Sequence, residues 1–169
     1  MLFLLFELDG ERYALDATEI VEVLPLAQSK SIPGAPAWVA GVFERHGCPM
    51  PVIDMPMLAL GRTARRLRST RLVLVRYRTA DSASATAREN GEPEHVLGLI
   101  LERATQARRI DREKFADSGV AIPHARWLGP VASDAVGLVQ WIKVQQMLDD
   151  DVKALLFQQA MPKQPLANT

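Results

Sequence analysis

Apolar and polar residues near the start of the chain follow a pattern that predicts a β-hairpin. An apolar run at Leu2–Leu8 is followed by Asp9 and Gly10, a dipeptide typical of tight hairpin turns. The apolar pattern resumes over residues 12–15. We therefore expect a strand, a two-residue turn and a second strand.

A third strand is predicted over residues 19–24, and Pro25 follows it. Side chains alternate between the two faces of a strand. Strict alternation places Glu19, Val21 and Val23 on one face. It places Ile20, Glu22 and Leu24 on the other face, which we expect to be partly exposed because a charge interrupts it.

Residues 32–55 predict a second hairpin with a rigid entry, since Pro33 and Pro36 restrict the backbone. Bulky and β-branched residues at 38–43 indicate a strand, and the polar residues 44–47 indicate a turn. The chain returns as a strand over residues 48–53. Pro49 and Pro51 lie two residues apart, so their missing N–H groups face the same side, which predicts an edge strand or pairing with gaps.

The rest of the chain predicts further strands, at residues 72–77, 96–102, 104–110, 127–132 and 135–142. The run at 96–102 is apolar enough to be buried on both faces. One helix is expected near residue 150, where Leu148, Val152, Leu155 and Leu156 have helical spacing. Residues 79–93 predict a poorly ordered loop. About nine short strands with few helices indicate an all-β fold, barrel or sandwich.

The composition is that of a soluble globular chain. It has 169 residues, 48% of them apolar, and its 20 basic and 20 acidic residues give a formal net charge of zero. This length fits one domain or two small subdomains that share a core. The balanced charge does not indicate nucleic acid or an anionic membrane as a partner. A single cysteine excludes an internal disulfide and fits a reducing compartment, so we expect a cytoplasmic protein.

Candidate catalytic groups do not form a recognisable set. His46, His95 and His124 are widely spaced, and no metal-ligand motif or phosphate-binding glycine loop accompanies them. Asp54 follows a predicted strand and is better suited to capping a short helical turn. Trp38, Trp127 and Trp141 are expected to pack in the core. We therefore predict a protein that is not an enzyme and has no metal or cofactor.

The segment IPGAPAWVAGVFERHGCPMPVIDM resembles the signature of the CheW-like domain family. The positions that match the signature are Pro33, Pro36, Gly41, Gly47, Pro51, Ile53 and Asp54. The stretches FELDGERYALDATEIVEVL and HVLGLILERATQARRI are similar to the same family. One departure stands out, because the family has an arginine before the turn glycine and this chain has His46, with Arg45 one place earlier.

The resemblance implies a fold. CheW-like domains consist of two intertwined, five-stranded, SH3-like β-barrel subdomains with a shared hydrophobic core, and here a C-terminal α-helix would follow. We expect one such domain over residues 1–160 and a flexible C-terminal tail over residues 161–169.

The resemblance also implies a function, that of an adaptor coupling a methyl-accepting chemotaxis receptor to a CheA-type histidine kinase. The partners would be the receptor's cytoplasmic tip and the kinase's regulatory domain, with recruitment to membrane-bound receptor complexes. The family's partner-binding positions correspond here to Ile20, Glu22, Val23, Arg45, His46 and Gly47. The 79–93 loop and the extended C-terminal helix suggest an accessory adaptor of the Wsp surface-signalling type.

An alternative interpretation is a small nucleic-acid-binding β-barrel. The run from Arg62 to Arg71 contains five arginines, and basic runs can bind phosphate groups. No aromatic residues are interleaved with these arginines to stack on bases. A solvated loop is the simpler reading, but this alternative remains open from the sequence.

Overall fold

The computed structural model of the protein describes residues 1–78 and 95–157. These residues contain nine strands: β1 Leu2–Leu8, β2 Glu11–Asp16, β3 Ile20–Pro25, β4 Val39–Arg45, β5 Cys48–Asp54, β6 Arg71–Tyr77, β7 His95–Arg109, β8 Leu128–Ser133 and β9 Leu138–Ile142. Two short α-helices, α1 Met55–Leu60 and α2 Asp150–Leu156, and three 3₁₀ turns at Ala17–Glu19, Arg112–Lys114 and Val144–Gln146 complete the described structure. The all-β prediction with a C-terminal helix is confirmed.

The strands form two five-stranded barrels that share β7. Barrel A has the strand order β7–β1–β2–β9–β8, and barrel B has the order β3–β6–β7–β5–β4. Each is closed by a bridge between one of its strands and a residue outside the strands. Ala116 and Val131 exchange two hydrogen bonds of 2.8 Å in barrel A, and Lys30 and Val42 exchange bonds of 2.9 and 2.8 Å in barrel B.

β7 passes from one barrel to the other near its middle. Residues 95–101 pair with β6 in barrel B, and residues 102–109 pair with β1 in barrel A. The backbone turns at Arg103, whose φ is +53°, and the pairing with β1 is irregular between Leu5 and Glu7. Separate strands were predicted over 96–102 and 104–110. They are one strand with a bend, because each half hydrogen-bonds in a different barrel.

Among the described residues, hydrophobic side chains form three clusters. Barrel A encloses Phe3, Leu5, Ala14, Ile110, Ala132 and Val139. Barrel B encloses Met50, Val52, Leu72, Leu74 and Ile100. The largest cluster lies between the barrels and includes Phe6, Leu15, Val73, Val75, Leu99 and Trp127. The prediction of a core shared by two barrels is thus confirmed.

The tryptophans pack as predicted. Trp127 is buried in the core between the barrels, and Trp38 packs against that core. Trp141 packs against the core of barrel A, with its ring edge-on to Phe3 at a centroid distance of 5.1 Å.

The local turn predictions hold at the first hairpin and at α1. Asp9 and Gly10 have φ values of +50° and +84°, as a primed hairpin turn requires. Asp54 caps α1 by accepting a hydrogen bond of 3.1 Å from the Met57 N–H. These features depend on neighbouring residues alone, which is why a local reading of the sequence finds them.

Two predictions about β5 and α2 need correction. β5 is not an edge strand, since it lies between β4 and β7, but its pairing with β7 begins only at Val52, after both prolines. Of the two predicted alternatives, an edge strand or pairing with gaps, the second is therefore correct. On α2, Val152 and Leu156 pack against the core between the barrels, but Leu155 is exposed, so the predicted apolar face includes one residue that faces solvent.

The face assignment on β3 holds for Glu22 and Leu24 but is wrong for Ile20. Ile20 lies opposite Val75 and Glu22 lies opposite Leu74, so Val21 is an extra residue in a β-bulge. The bulge turns Ile20 and Val23 towards the side of the core between the barrels. Glu22 and Leu24 point to the barrel B side instead. Strict alternation fails here because a bulge shifts every residue before it by one position.

Some predictions fall outside the described residues. The poorly ordered loop at 79–93 and the flexible tail at 161–169 lie there, so the division into a domain over 1–160 and a tail stays a prediction.

Candidate functional site

The tip of the β4–β5 hairpin is a two-residue turn. Arg45 pairs with Cys48, and His46 and Gly47 between them have φ values of +51° and +76°. Positive φ at both central residues is the geometry of a type I′ turn, which matches the twist of a hairpin. His46 and Gly47 are exposed. The hairpin therefore presents both residues to solvent at one end of barrel B.

Glu22 and Arg45, both predicted as partner-binding residues, form an ion pair. The Arg45 guanidinium donates from Nε to Glu22 Oε2 at 2.7 Å and from Nη2 to Glu22 Oε1. Their side chains are 37% and 32% exposed, so water screens the pair and it adds about 1 kcal/mol or less to stability. The pair ties β3 to the tip of the β4–β5 hairpin. It is Arg45, next to the turn, that supplies the cation facing Glu22.

Ile20 and Val23 form a second group on the opposite face of β3. Ile20 is half-buried and packs against the core between the barrels. Val23 lies opposite the buried Val73, yet its own side chain is 43% exposed. Val21, in the bulge, is 47% exposed. Apolar side chains thus continue from the core between the barrels onto the surface along β3.

The exposure of Val21 was not predicted from the sequence, because a regular strand was assumed where the structure has a β-bulge. The ion cluster around Glu102 was not predicted either. Glu102 is buried, and the Arg62 guanidinium donates to both of its carboxylate oxygens, at 2.6 and 3.0 Å. The hydrogen bond from Arg62 lowers the pKa of Glu102, although burial acts in the opposite direction. Two signals for this cluster were present in the sequence, an acidic residue at the end of a predicted buried strand and an arginine far from it along the chain.

Two arginines of the Arg62–Arg71 run are hydrogen-bonded within the protein, and Arg65, Arg66 and Arg68 are exposed. Arg62 is paired with both Glu102 and Asp9, with Arg62 Nη2 and Asp9 Oδ1 2.6 Å apart. Arg71 donates to the backbone carbonyls of Arg68 and Thr70. Two of the five guanidinium groups therefore donate to acceptors of the protein itself. The nucleic-acid alternative is not favoured.

One cavity on the described surface brings several charged and aromatic side chains together. It has a volume of about 330 Å³ and is lined by acidic, basic and aromatic residues that include Asp16, Glu19, Arg112 and Trp141. The Asp16 carboxylate accepts hydrogen bonds from Thr18, and Gln145 lies 3.5 Å from the Glu19 carboxylate. Burial raises the pKa of Glu19. Neither acid is hydrogen-bonded to another titratable side chain among the described contacts, so we assign no catalytic residue.

Residues 1–78 and 95–157 contain no group of three or more His, Cys, Asp or Glu side chains placed to hold a metal ion. Within the same residues, no helix is long and apolar enough to cross a membrane.

Comparisons with known proteins agree with this architecture. The CheW-like domain matches residues 2–152. A crystal structure of the scaffolding protein TtCheW from Thermoanaerobacter tengcongensis is similar in fold, with a TM-score of 0.70, 19% sequence identity and 90% of each chain covered. Among curated proteins no match is found. The chain therefore belongs to the CheW-like domain family, a family of adaptor domains in chemotaxis signalling.

Proposed function

We propose that this protein is a non-enzymatic adaptor that couples a methyl-accepting chemotaxis receptor to a CheA-type histidine kinase. The observation that carries the proposal is the apolar surface along β3, where Val21 and Val23 are exposed beside the core between the barrels. Exposed apolar residues that continue a core are typical of a docking surface. Family membership supports the same function.

The receptor surface in this proposal is the β3 face that carries Ile20 and Val23. A helical hairpin tip presents apolar side chains at helical spacing, and such a helix binds in an apolar groove between two packed units. Ile20 would form the floor of this groove, since it is half-buried against the core between the barrels. Val23 would form its exposed edge.

The kinase surface in this proposal is the exposed hairpin end of barrel B. Glu22 and Arg45 offer a charged pair that is about one-third exposed, and His46 and Gly47 extend beyond it. Polar and charged groups at the rim of an interface fix the register of two docked domains. The regulatory domain of the kinase is itself CheW-like, so the contact would join barrel to barrel.

The test of the receptor surface is Val23→Asp. We expect about tenfold weaker binding to the receptor's cytoplasmic tip fragment, because the new carboxylate must be desolvated in an apolar contact. Calorimetry with a receptor fragment and a kinase regulatory domain from the same genome measures both affinities. Val136→Asp is the matched control, since Val136 is 72% exposed and lies in the β8–β9 turn of barrel A.

Binding of the kinase domain should survive Val23→Asp, which separates the two surfaces. If Val23→Asp and Val136→Asp bind the receptor fragment as tightly as the unaltered chain, β3 is not the receptor surface. If the unaltered chain binds neither fragment, the adaptor function itself is wrong.

A further prediction concerns His46. Arginine carries a permanent charge and a planar set of donors, whereas histidine near neutral pH does not. We expect His46→Ala to weaken binding to the native kinase partner and His46→Arg to strengthen binding to an ordinary CheA-type partner. The native-partner dissociation constant, measured at mildly acidic and mildly alkaline pH, checks this. Equal values for His46→Ala and the unaltered chain at both pH values would exclude His46 from the contact.

We also propose that the adaptor is recruited to membrane-bound receptor complexes and serves a pathway of the Wsp surface-signalling type. Purification of the tagged chain from its native cell, with identification of the receptor and kinase that accompany it, tests both points. Recovery with a flagellar chemotaxis receptor and kinase alone would contradict the surface-signalling assignment.

A further inference from the structure

A cluster of three charged side chains lies where β7 passes from barrel B to barrel A. Glu102 stands at this crossing with only 3% of its surface exposed. Arg62 follows α1, which continues from β5 of barrel B. Asp9 lies in the β1–β2 turn of barrel A. The cluster therefore draws one member from each barrel and one from the strand that they share.

The Arg62 guanidinium holds the other two residues together. It donates from Nη1 to Glu102 Oε1 at 2.6 Å and from Nη2 to Glu102 Oε2 at 3.0 Å. Its Nη2 and Nε also donate to Asp9 Oδ1, at 2.6 and 3.2 Å. A planar guanidinium that makes paired bonds in two directions fixes distance and angle together, which a lysine ammonium does not do.

The segment that carries Arg62 is itself anchored at several points. The Ala64 N–H donates to Asp54 Oδ2 at 3.0 Å, at the end of β5. The Arg65 N–H donates to Glu102 Oε1 at 2.7 Å, and the Ala104 N–H donates to the Ser69 carbonyl at 3.0 Å. Arg62 is therefore held rigidly relative to barrel B while it binds the turn of barrel A.

The other contacts between the barrels include the apolar core and the hydrogen bonds of Gln145, which follows β9, with the Arg76 carbonyl and the Arg78 N–H at the end of β6, both of 2.9 Å. Apolar packing is non-directional, so it favours contact between the barrels without selecting one angle as sharply as paired hydrogen bonds do. The backbone bend at Arg103 provides a place where that angle can change.

We propose that Arg62 is a positioning residue that fixes the orientation of barrel A relative to barrel B by binding Asp9 and Glu102 at once. This role goes beyond the adaptor function and does not depend on it. Because the angle between the barrels is fixed in this way, the distance across the surface between them, where Ile20 and Val23 lie, is fixed as well.

Distance measurement between two spin labels tests the proposal on the whole chain. Cys48 is the only cysteine and is exposed in barrel B, so it takes one label without further change. Val136→Cys in the exposed β8–β9 turn places the second label on barrel A. In this doubly labelled chain we expect one narrow distance distribution, and with Arg62→Gln a broader distribution or a second distance.

Arg66→Gln is the matched control, because it removes the same charge from an exposed position in the same segment. It should leave the distribution narrow. Arg62→Lys should broaden it, since one ammonium cannot reproduce the paired bonds. A merely stabilising role would lower the melting temperature of Arg62→Gln and leave the distance distribution unchanged, and this result would overturn the proposal.

Asp9→Gly provides a second variant that should fold, since glycine adopts the positive φ of this turn position and the Asp9 side chain is half-exposed. It removes only the barrel A end of the cluster and leaves Glu102 paired. We expect broadening in this variant too. If Arg62→Gln does not fold, an unchanged distribution in Asp9→Gly contradicts the proposal by itself.

Discussion

Replacing Gly41 by alanine is expected to destabilise the protein by about 3 kcal/mol or more. A Cβ atom at this position would lie 2.1 Å from the Lys30 carbonyl oxygen, and the backbone φ of +145° is itself unfavourable for a residue with a side chain. The clash cannot be relieved by a side-chain rotation, because the atom it meets belongs to the backbone. That carbonyl accepts the hydrogen bond from Val42 that helps to close barrel B.

Thermal unfolding of Gly41→Ala measures the effect, with a decrease in melting temperature on the order of 10 °C. Gly34→Ala is the matched control, since Gly34 also has a positive φ, +83°, but nothing lies within 4 Å of its added Cβ. Backbone strain alone costs about 1–2 kcal/mol there. Equal losses in the two variants would show that the close approach of Lys30 to β4 does not set the requirement for glycine.

Replacing Glu22 by lysine is expected to weaken partner binding by about 2 kcal/mol, roughly 30-fold, while the chain stays folded. The substitution removes the carboxylate and places a second cation in front of Arg45. The ion pair is about one-third exposed, so the loss of stability should stay near 1 kcal/mol. Calorimetry with the receptor fragment and the kinase regulatory domain measures the affinities, and thermal unfolding checks the fold.

The double variant Glu22→Arg with Arg45→Glu restores the ion pair with its polarity reversed. Recovered binding would show that the pair acts by holding the hairpin tip in place. Binding that stays weak would show that one of the two charges contacts the partner directly. Unchanged dissociation constants for both partners in Glu22→Lys would remove Glu22 from the interface.

The two-barrel prediction depended on the family resemblance, because the proline and glycine positions of residues 32–55 require a particular backbone conformation. The structure gives those positions physical reasons. Gly47 occupies a positive-φ place in a type I′ turn, Gly41 allows the Lys30 backbone to approach, and Asp54 caps α1. The six predicted partner-binding positions divide into the ion-paired hairpin end of barrel B and the apolar face of β3.

The sequence by itself determined the features that arise between neighbouring residues: most of the strands, the Asp9–Gly10 and His46–Gly47 turns and the Asp54 cap. For the β5 prolines it left two alternatives, an edge strand or pairing with gaps, and the second is correct. Each of these features follows from backbone preferences and hydrogen bonds within a few residues.

Only the tertiary structure decided which residues meet across long separations. The bulge at Val21 depends on the register of β3 against β6, and it moves Ile20 to the face opposite the one inferred from alternation. Two sets of ion pairs also depend on the tertiary structure. Glu22 meets Arg45 because of the way barrel B closes, and Arg62 meets Asp9 and Glu102 because of the place where β7 bends. A charge in a sequence does not specify its partner, because the energy of an ion pair depends on distance and burial, which are set by the packing of the whole chain.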